Sequence, residues 1–364
     1  MKNRFHWVVA FCMAMAWMVA QPLHAQTPDN QYLIGTYYFP GWTAHAKGLE
    51  FPEPWKPIQK YPSKEPTLGW YSDSDPQVLR QQVQWMRSHG IGFVAFDWYW
   101  DGQNTYMEHA LKAFRASKTP GQMKFTLLWA NHYPFPGGLA QYRLMVRYWV
   151  AQYFSDPDFL TIEGRPVVFI FGLDYFAAAA KTIGVTPAVL VKTANDIAKA
   201  AGWPGVYFVG GTPALAHWAH AVAPESGIAA LSAYNYQLGY SGSAESETSS
   251  GLGYVRLDRA YRKNWQWLLT QQGLPYIVPM TVGWDKRPWG GSPHAHQDDS
   301  IASPAEFEAH LREAKRLMDA HPTKTQRMGV VCCWNEFGEG SYIEPTKKDG
   351  LVYLETIKKV FFPP

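Results

Sequence analysis

The residues best suited to chemistry lie near the C-terminus. There RMGVVCCWNEFGEGSYIEP, residues 327–345, runs apolar and then meets two carboxylic acids, Glu336 and Glu339, with Phe337 and Gly338 between them. Paired carboxyls fit cleavage of a glycosidic bond, which needs a proton donor at the leaving oxygen and a second carboxylate across the reacting carbon. Their surroundings must split the two proton affinities, so that one group is protonated while the other is ionised. On a helix an ExxE pair is ordinarily a solvated face, and on a loop often a cap or a surface ion pair. At the end of a strand, on a turn flanked by glycines, the same spacing lets one short loop supply both groups.

Other candidates gather at the ends of apolar runs. They are Tyr38 and Trp42; Asp97, Trp98 and Tyr99; Trp129, Asn131 and His132; Tyr234 and Tyr236; Trp284 and Asp285; and Trp334 and Asn335. Aromatic residues make up 16% of the chain, with 17 Trp, 21 Tyr and 19 Phe, many of them beside Gly, Pro or Asn. Flat sugar C–H faces stack on such rings, and Trp and Tyr add a polar handle, so the set suits a carbohydrate substrate. Asp97 reads equally as an anchor for a sugar hydroxyl or as the partner of a Lys or Arg. Asp285, among loop aromatics, leans toward substrate. His132 reads as a donor to sugar or as a packed histidine, and Glu344 as structural. The HAHQDD stretch, with His294 and His296, lacks a third fixed ligand and reads as a solvated loop. No metal and no cofactor is assigned.

These positions need a scaffold that brings strand ends together. Eight short apolar runs, at 33–38, 91–97, 124–129, 166–171, 205–210, 228–233, 275–281 and 328–334, alternate with segments of helical spacing such as 76–89, 303–320 and 350–361; a segment near 213–222 is weakly patterned. Runs apolar along their whole length are what buried parallel strands require. Eight alternations predict a single α/β domain, a (β/α)8 TIM barrel with long loops at the C-terminal face, where such barrels hold their sites. An open doubly wound sheet is the alternative, but no GxGxxG or phosphate loop follows the early strands. The long segments 40–74 and 237–253 both fall on the strand-to-helix side, where loops carry function.

The chain has 364 residues, 47% of them hydrophobic, enough for a large core. Residues 1–25 read as a secretory signal: Lys2 and Arg4, an apolar stretch from Trp7 to Ala20, then Leu23-His24-Ala25 before a cleavage site. That leaves 26–364 as the barrel and predicts export to the periplasm or medium, with no stable membrane span after cleavage; an uncleaved anchor is the other reading. Removing Lys2 and Arg4 takes the formal charge from +3 to +1, which offers nothing to nucleic acid or anionic membrane. Cys12 falls in the signal. Cys332 and Cys333 are adjacent in a strand, where neighbours point to opposite faces, so one buried and one outward thiol is expected rather than a vicinal disulfide. Oligomeric state is not legible.

The segment WNEFGEGSYIEPTKKDGLVYLETIKK resembles the WNEW-x-EG-x-x-(I/L)EP signature of the family 99-like domains, which include WbsX-type polysaccharide proteins and glycoside hydrolase family 99. YYFPGW, YSDSDPQVLRQQVQWMRSHGIGFVAFDWYW, LLWAN, AYNYQ and VGWDKRPW are also similar to that group, in the same order. The resemblance implies a barrel without metal and retaining cleavage of α-mannosidic linkages through an anhydrosugar. It casts Glu336 as base on the sugar 2-hydroxyl and Glu339 as general acid and then base. Tyr38, Trp98 and Asn335 match positions that line the family's cleft. LLWANHYPF departs from the WbsX-type LCWANE pattern in carrying His132 where that pattern has glutamate. WbsX-type proteins are often labelled glycosyltransferases, yet no phosphate loop occurs here. The leading expectation is an exported glycoside hydrolase acting on an oligo- or polysaccharide. A non-catalytic carbohydrate-binding barrel and a glycan-modifying transferase or lyase are the alternatives.

Overall fold

The structure, a computed structural model, describes residues 31–49, 52–132, 135–237, 253–293 and 295–363. Residues 1–25, read above as a secretory signal, most of the polar loop 237–253 and His294 lie outside them, as does the side chain of His296. Eight parallel strands are present: β1 (Leu33–Tyr38), β2 (Ile91–Trp100), β3 (Lys124–Trp129), β4 (Arg165–Ile170), β5 (Tyr207–Gly211), β6 (Ala230–Ser232), β7 (Val278–Thr281) and β8 (Met328–Cys332). They pair in the order β6-β5-β4-β3-β2-β1-β8-β7. A parallel bridge between Leu231 and Tyr276 joins the two ends, with Leu231 N–H donating to Pro275 O and Ile277 N–H to Leu231 O, each at 2.9 Å. The sheet closes on itself, so the fold is the (β/α)8 barrel and not an open doubly wound sheet.

Helices return the chain after each strand except β5: α1 (Pro76–Ser88), α2 (His109–Ser117), α3 (Leu139–Trp149), α4 (Leu173–Thr182) and α5 (Pro187–Ala200), α6 (Gly253–Gln271), α7 (Pro304–Ala320) and α8 (Val352–Phe361). The weak pattern near 213–222 becomes an irregular segment, wide turns over His217–Val222 running into a short helix at Ala223–Ser226. Local chemistry sets the clear starts. Asp75 caps α1 by accepting from Gln77 N–H at 2.8 Å, with Pro76 in the first turn where its missing N–H costs nothing. Ser303 and Glu306 form a reciprocal capping box at the start of α7.

The two-residue period of the strands divides the core. Tyr37, Phe93, Ala95, Leu128, Val167, Phe169 and Val209 fill the barrel, while the alternate residues, among them Ile34, Tyr38, Val94, Phe96, Leu127 and Trp129, pack under the helices. This parity decides which strand-end residues reach the mouth. On β2 the inward series 93, 95 continues to Asp97, whereas 94, 96 continues outward to Trp98.

Trp149, at the end of α3, is fully buried in that outer layer, with ring centroids 5.5 Å from Trp98 and 5.7 Å from Trp129. Trp149→Ala is expected to lower the unfolding free energy by about 3–5 kcal/mol, the usual cost of emptying a large aromatic site. Urea unfolding measures it; a loss below about 1 kcal/mol would contradict this packing.

Candidate active site

β8 leads straight into the functional loop. Cys332 and Cys333 at its end are both fully buried and joined as a vicinal disulfide, S–S 2.03 Å, which corrects the expectation of one inward and one outward thiol. Strand alternation assumes trans peptides; the bond between these two residues is cis, and their Cα atoms are 2.9 Å apart. The chain then forms a hairpin in which Asn335 pairs with Tyr342 and Glu336 with Ser341. Phe337 to Gly340 make the turn, which carries Glu339 back over Glu336. Two glycines are required. A Cβ on Gly338 would sit 1.9 Å from the Trp289 indole, and Gly340 has φ +68° with its Cβ position 2.6 Å from Asp285 N.

Buried polar contacts hold the hairpin to neighbouring strands. Ser341 Oγ donates to Cys332 O at 3.0 Å, and Trp334 N–H donates to Tyr37 O at 2.7 Å. Asn335 clamps the β1 exit: its Oδ1 accepts from Phe39 N–H at 2.9 Å and its Nδ2 donates to Phe39 O at 3.0 Å. The Trp42 indole N–H donates to Asn335 O at 3.0 Å. On the far side Asp285 N–H donates to Glu339 O at 2.6 Å, and the Asp285 carboxylate is gripped by Arg287 at 2.7 Å and by buried Lys64 at 3.0 Å. Burial pushes the Lys64 ammonium down and Asp285 counters it. Below, Glu344 accepts from Tyr71 at 2.7 Å and from Gln82 at 3.0 Å, and Gln82 in turn accepts from Tyr38. Glu344 is thus structural, tying α1 and the β1 loop to the hairpin.

Above this bracing lies a cleft of about 550 Å³, measured out to its open mouth, lined by Phe39, Asp97, Tyr99, Leu128, Ala130, His132, Phe171, Tyr234, Asn235, Gln237, Trp284, Trp289, Glu336 and Glu339. Its floor is acidic. Tyr234 donates toward Glu336 Oε1 at 2.9 Å and lies 3.3 Å from Asp97 Oδ2. Glu336 Oε2 and Asp97 Oδ1 are buried without a hydrogen-bond partner among the described residues. Burial, then the neighbouring charges of Glu339 and Asp97, push the Glu336 carboxyl well above the usual carboxylate range. Burial likewise raises Asp97. Glu339, only half-buried, is pushed up to about 7 by desolvation, with the Lys286 ammonium pulling it back down.

Of the sequence candidates, the structure brings Asp97, Tyr99, His132, Tyr234, Trp284, Glu336 and Glu339 to this one cleft. His132 stands exposed at the rim against Phe171, ring centroids 4.3 Å apart. The others lie elsewhere. Tyr38, Trp98 and Trp129 take the outward parity and pack under helices, and Trp98 donates to Tyr153. Trp42 stacks on Trp55 at 3.8 Å beneath the β1 loop. Asn131 exchanges two hydrogen bonds with Gly172, Tyr236 meets Tyr276, and Trp334 is buried in the outer core. Asp285 and Asn335 brace the loop. Phe171, Gln237, Trp289 and Lys286 were not singled out by sequence. Phe171 has a usable signal, being the first residue beyond β4, and Gln237, Lys286 and Trp289 fall inside the AYNYQ and VGWDKRPW stretches; Lys64 has none, because its partner Asp285 comes from a distant segment. In the HAHQDD stretch, Asp298 accepts from Lys286 N–H and from the N–H and hydroxyl of Ser292, so its oxygens anchor the loop.

A closed barrel with paired carboxyls in an aromatic cleft at the C-terminal face is the layout of carbohydrate-active (β/α)8 proteins. The chain belongs to the family described as Glycosyltransferase WbsX, whose profile matches residues 140–357, and the Glycosyl hydrolase family 99 profile matches residues 58–188. It is 22% identical over 327 residues to the uncharacterized protein WxcX of Xanthomonas campestris pv. campestris, covering 80% of this chain and 42% of that one, so it spans less than half of that relative's length. Among solved structures it is similar to the GH99 endo-alpha-mannosidase from Bacteroides thetaiotaomicron, with TM-score 0.61 and 15% identity over 92% of this chain and 96% of that one. It is also similar to a glycoside hydrolase-like protein, with TM-score 0.64 and 14% identity over 91% and 94%. The fold is therefore that of family 99-like proteins. Among the described residues no helix is long and apolar enough to cross a membrane.

Glu344 gives a pH test of the bracing. Burial raises its carboxyl from 4.5 to about 8, against the hydrogen bonds from Tyr71 and Gln82. Between those values the folded chain holds a proton that the unfolded chain has lost, so the group's contribution to stability falls as pH rises through this window, by up to about 1.4 kcal/mol per pH unit. Glu344→Gln is expected to show a correspondingly shallower decline in denaturant titrations run across the window. Parallel profiles for the two proteins would contradict the assignment.

Proposed function

We propose that this chain is an exported glycoside hydrolase that cleaves an oligo- or polysaccharide in the acidic cleft, with Glu336 and Glu339 as its acid–base pair. One observation carries the reading: a single hairpin presents both carboxyls to one aromatic-lined hollow, in environments that differ. Glu339, pushed up to about 7, can donate a proton at neutral pH and then take one back. Glu336 sits deeper, where burial and its acidic neighbours push its carboxyl up, while the hydrogen bond from Tyr234 and the Lys286 ammonium pull it back toward the ionised form a base needs. The family 99 resemblance suggests a retaining route on an α-mannoside-like sugar. Glu336 takes the 2-hydroxyl proton, O2 attacks the anomeric carbon, and Glu339 protonates the departing oxygen. Glu339 then takes a proton from the water that opens the anhydrosugar, while Glu336 returns its proton to O2. The indole and phenyl faces of Trp284, Trp289, Phe39 and Phe171 supply stacking surface, and His132 at the rim is placed to select the sugar. The N-terminal signal segment supports action outside the cytoplasm.

Purified protein incubated with defined mannans, glucans and rhamnans, with products read by mass spectrometry, tests this. Wild-type protein is expected to release products without a nucleotide sugar, with activity falling as pH rises through about 7, where Glu339 loses its proton. Glu339→Gln is expected to lose about 10²–10⁴-fold in turnover while still binding glycan, and its residual activity should lack that alkaline limb. Unchanged turnover in the variant removes the assigned acid. Binding without turnover across the panel marks a carbohydrate-binding barrel, and dependence on a nucleotide sugar marks a transferase.

A further inference from the structure

Tyr234 stands between two acids. Its hydroxyl oxygen is 2.9 Å from Glu336 Oε1 and 3.3 Å from Asp97 Oδ2. A phenol carries one hydrogen and donates it to one acceptor, and an ionised carboxylate can only accept. If both acids were ionised, one of these contacts would set lone pair against lone pair inside a buried site. The second acid can meet the phenol oxygen favourably only as a donor, in its protonated form.

The surroundings indicate which acid holds the proton. The phenol's one hydrogen goes to its nearer acceptor, Glu336 at 2.9 Å, which leaves Asp97, at 3.3 Å, facing a lone pair of the phenol oxygen. The Lys286 ammonium, carried on the loop after β7, acts on Glu336 and Glu339. Asp97 has no ion pair among the described residues, and the titratable groups sharing its cleft are Tyr99 on its own strand, Tyr234 from β6, Glu336 and Glu339 from the hairpin, and His132 at the rim. Burial disfavours ionisation of both Asp97 and Glu336 and does not choose between them; the choice follows from where the phenol hydrogen goes.

We propose that Asp97 is the proton-holding partner of Glu336: the Asp97 acid donates to the Tyr234 oxygen, Tyr234 donates to Glu336, and that bond favours the ionised form of Glu336. Asp97 is then a positioning residue that sets the base through the phenol. Its value for catalysis rests on the role of Glu336 proposed above, but the location of the proton does not, so the two can fail separately.

Infrared spectra of the whole protein at neutral pH, with ordinary and with ¹³C-labelled aspartate, locate the proton without any substrate. One carboxylic-acid C=O band is expected to shift on aspartate labelling, while acid bands from Glu344 and Glu339 stay in place. That band should vanish in labelled Asp97→Asn and move in labelled Tyr234→Phe, where its acceptor is gone. The proposal is overturned if no acid band responds to the aspartate label, or if the responding band survives in Asp97→Asn. Should that variant not fold, a band unmoved by Tyr234→Phe overturns it equally.

Discussion

Two carboxyl groups three residues apart can share one hollow only if the backbone between them reverses at once and is prevented from relaxing. Left to themselves, Glu336 and Glu339 would turn toward water, since burying like charges together is costly. The hairpin after β8 removes that freedom. Glu336 is fixed by its ladder pairing with Ser341, and the turn lets Glu339 come back only because Gly338 passes under Trp289 and Gly340 against Asp285.

The loop's rigidity comes from elements distant in sequence. Asn335 ties it to the end of β1, the Lys64–Asp285 pair ties the β1 excursion to the loop after β7, and Glu344 ties it to α1 through Gln82. Each of these is a buried or partly buried polar contact whose loss would leave an unsatisfied partner, which is costlier than the contact is favourable. The long Pro- and Trp-rich segment after β1 therefore acts largely as a brace. Two of its indoles, Trp42 and Trp55, stack on each other beneath the loop and do not face the cleft.

The barrel was legible because eight apolar runs alternate with helical spacing, and its strands fall on those runs, shortened at β6 and β7. The acidic floor could be located from strand ends alone. What sequence reading could not resolve was parity: Asp97 and Trp98 are neighbours at one strand end, yet only the residue in phase with Phe93 and Ala95 turns into the barrel. Tyr38 and Trp129 fall on the outward face for the same reason. Partners such as Lys64 depend on contacts across the fold that local patterns do not encode, and the vicinal disulfide breaks the alternation rule itself.

The central claim is that this cleft moves protons between water and a glycosidic bond. It is tested most directly by digesting a responsive glycan in H₂¹⁸O without any nucleotide sugar and weighing the new reducing ends. The account predicts one ¹⁸O per cleaved bond, delivered by the water that Glu339 activates. Products formed without ¹⁸O at the reducing end, as in elimination or glycosyl transfer, would contradict it.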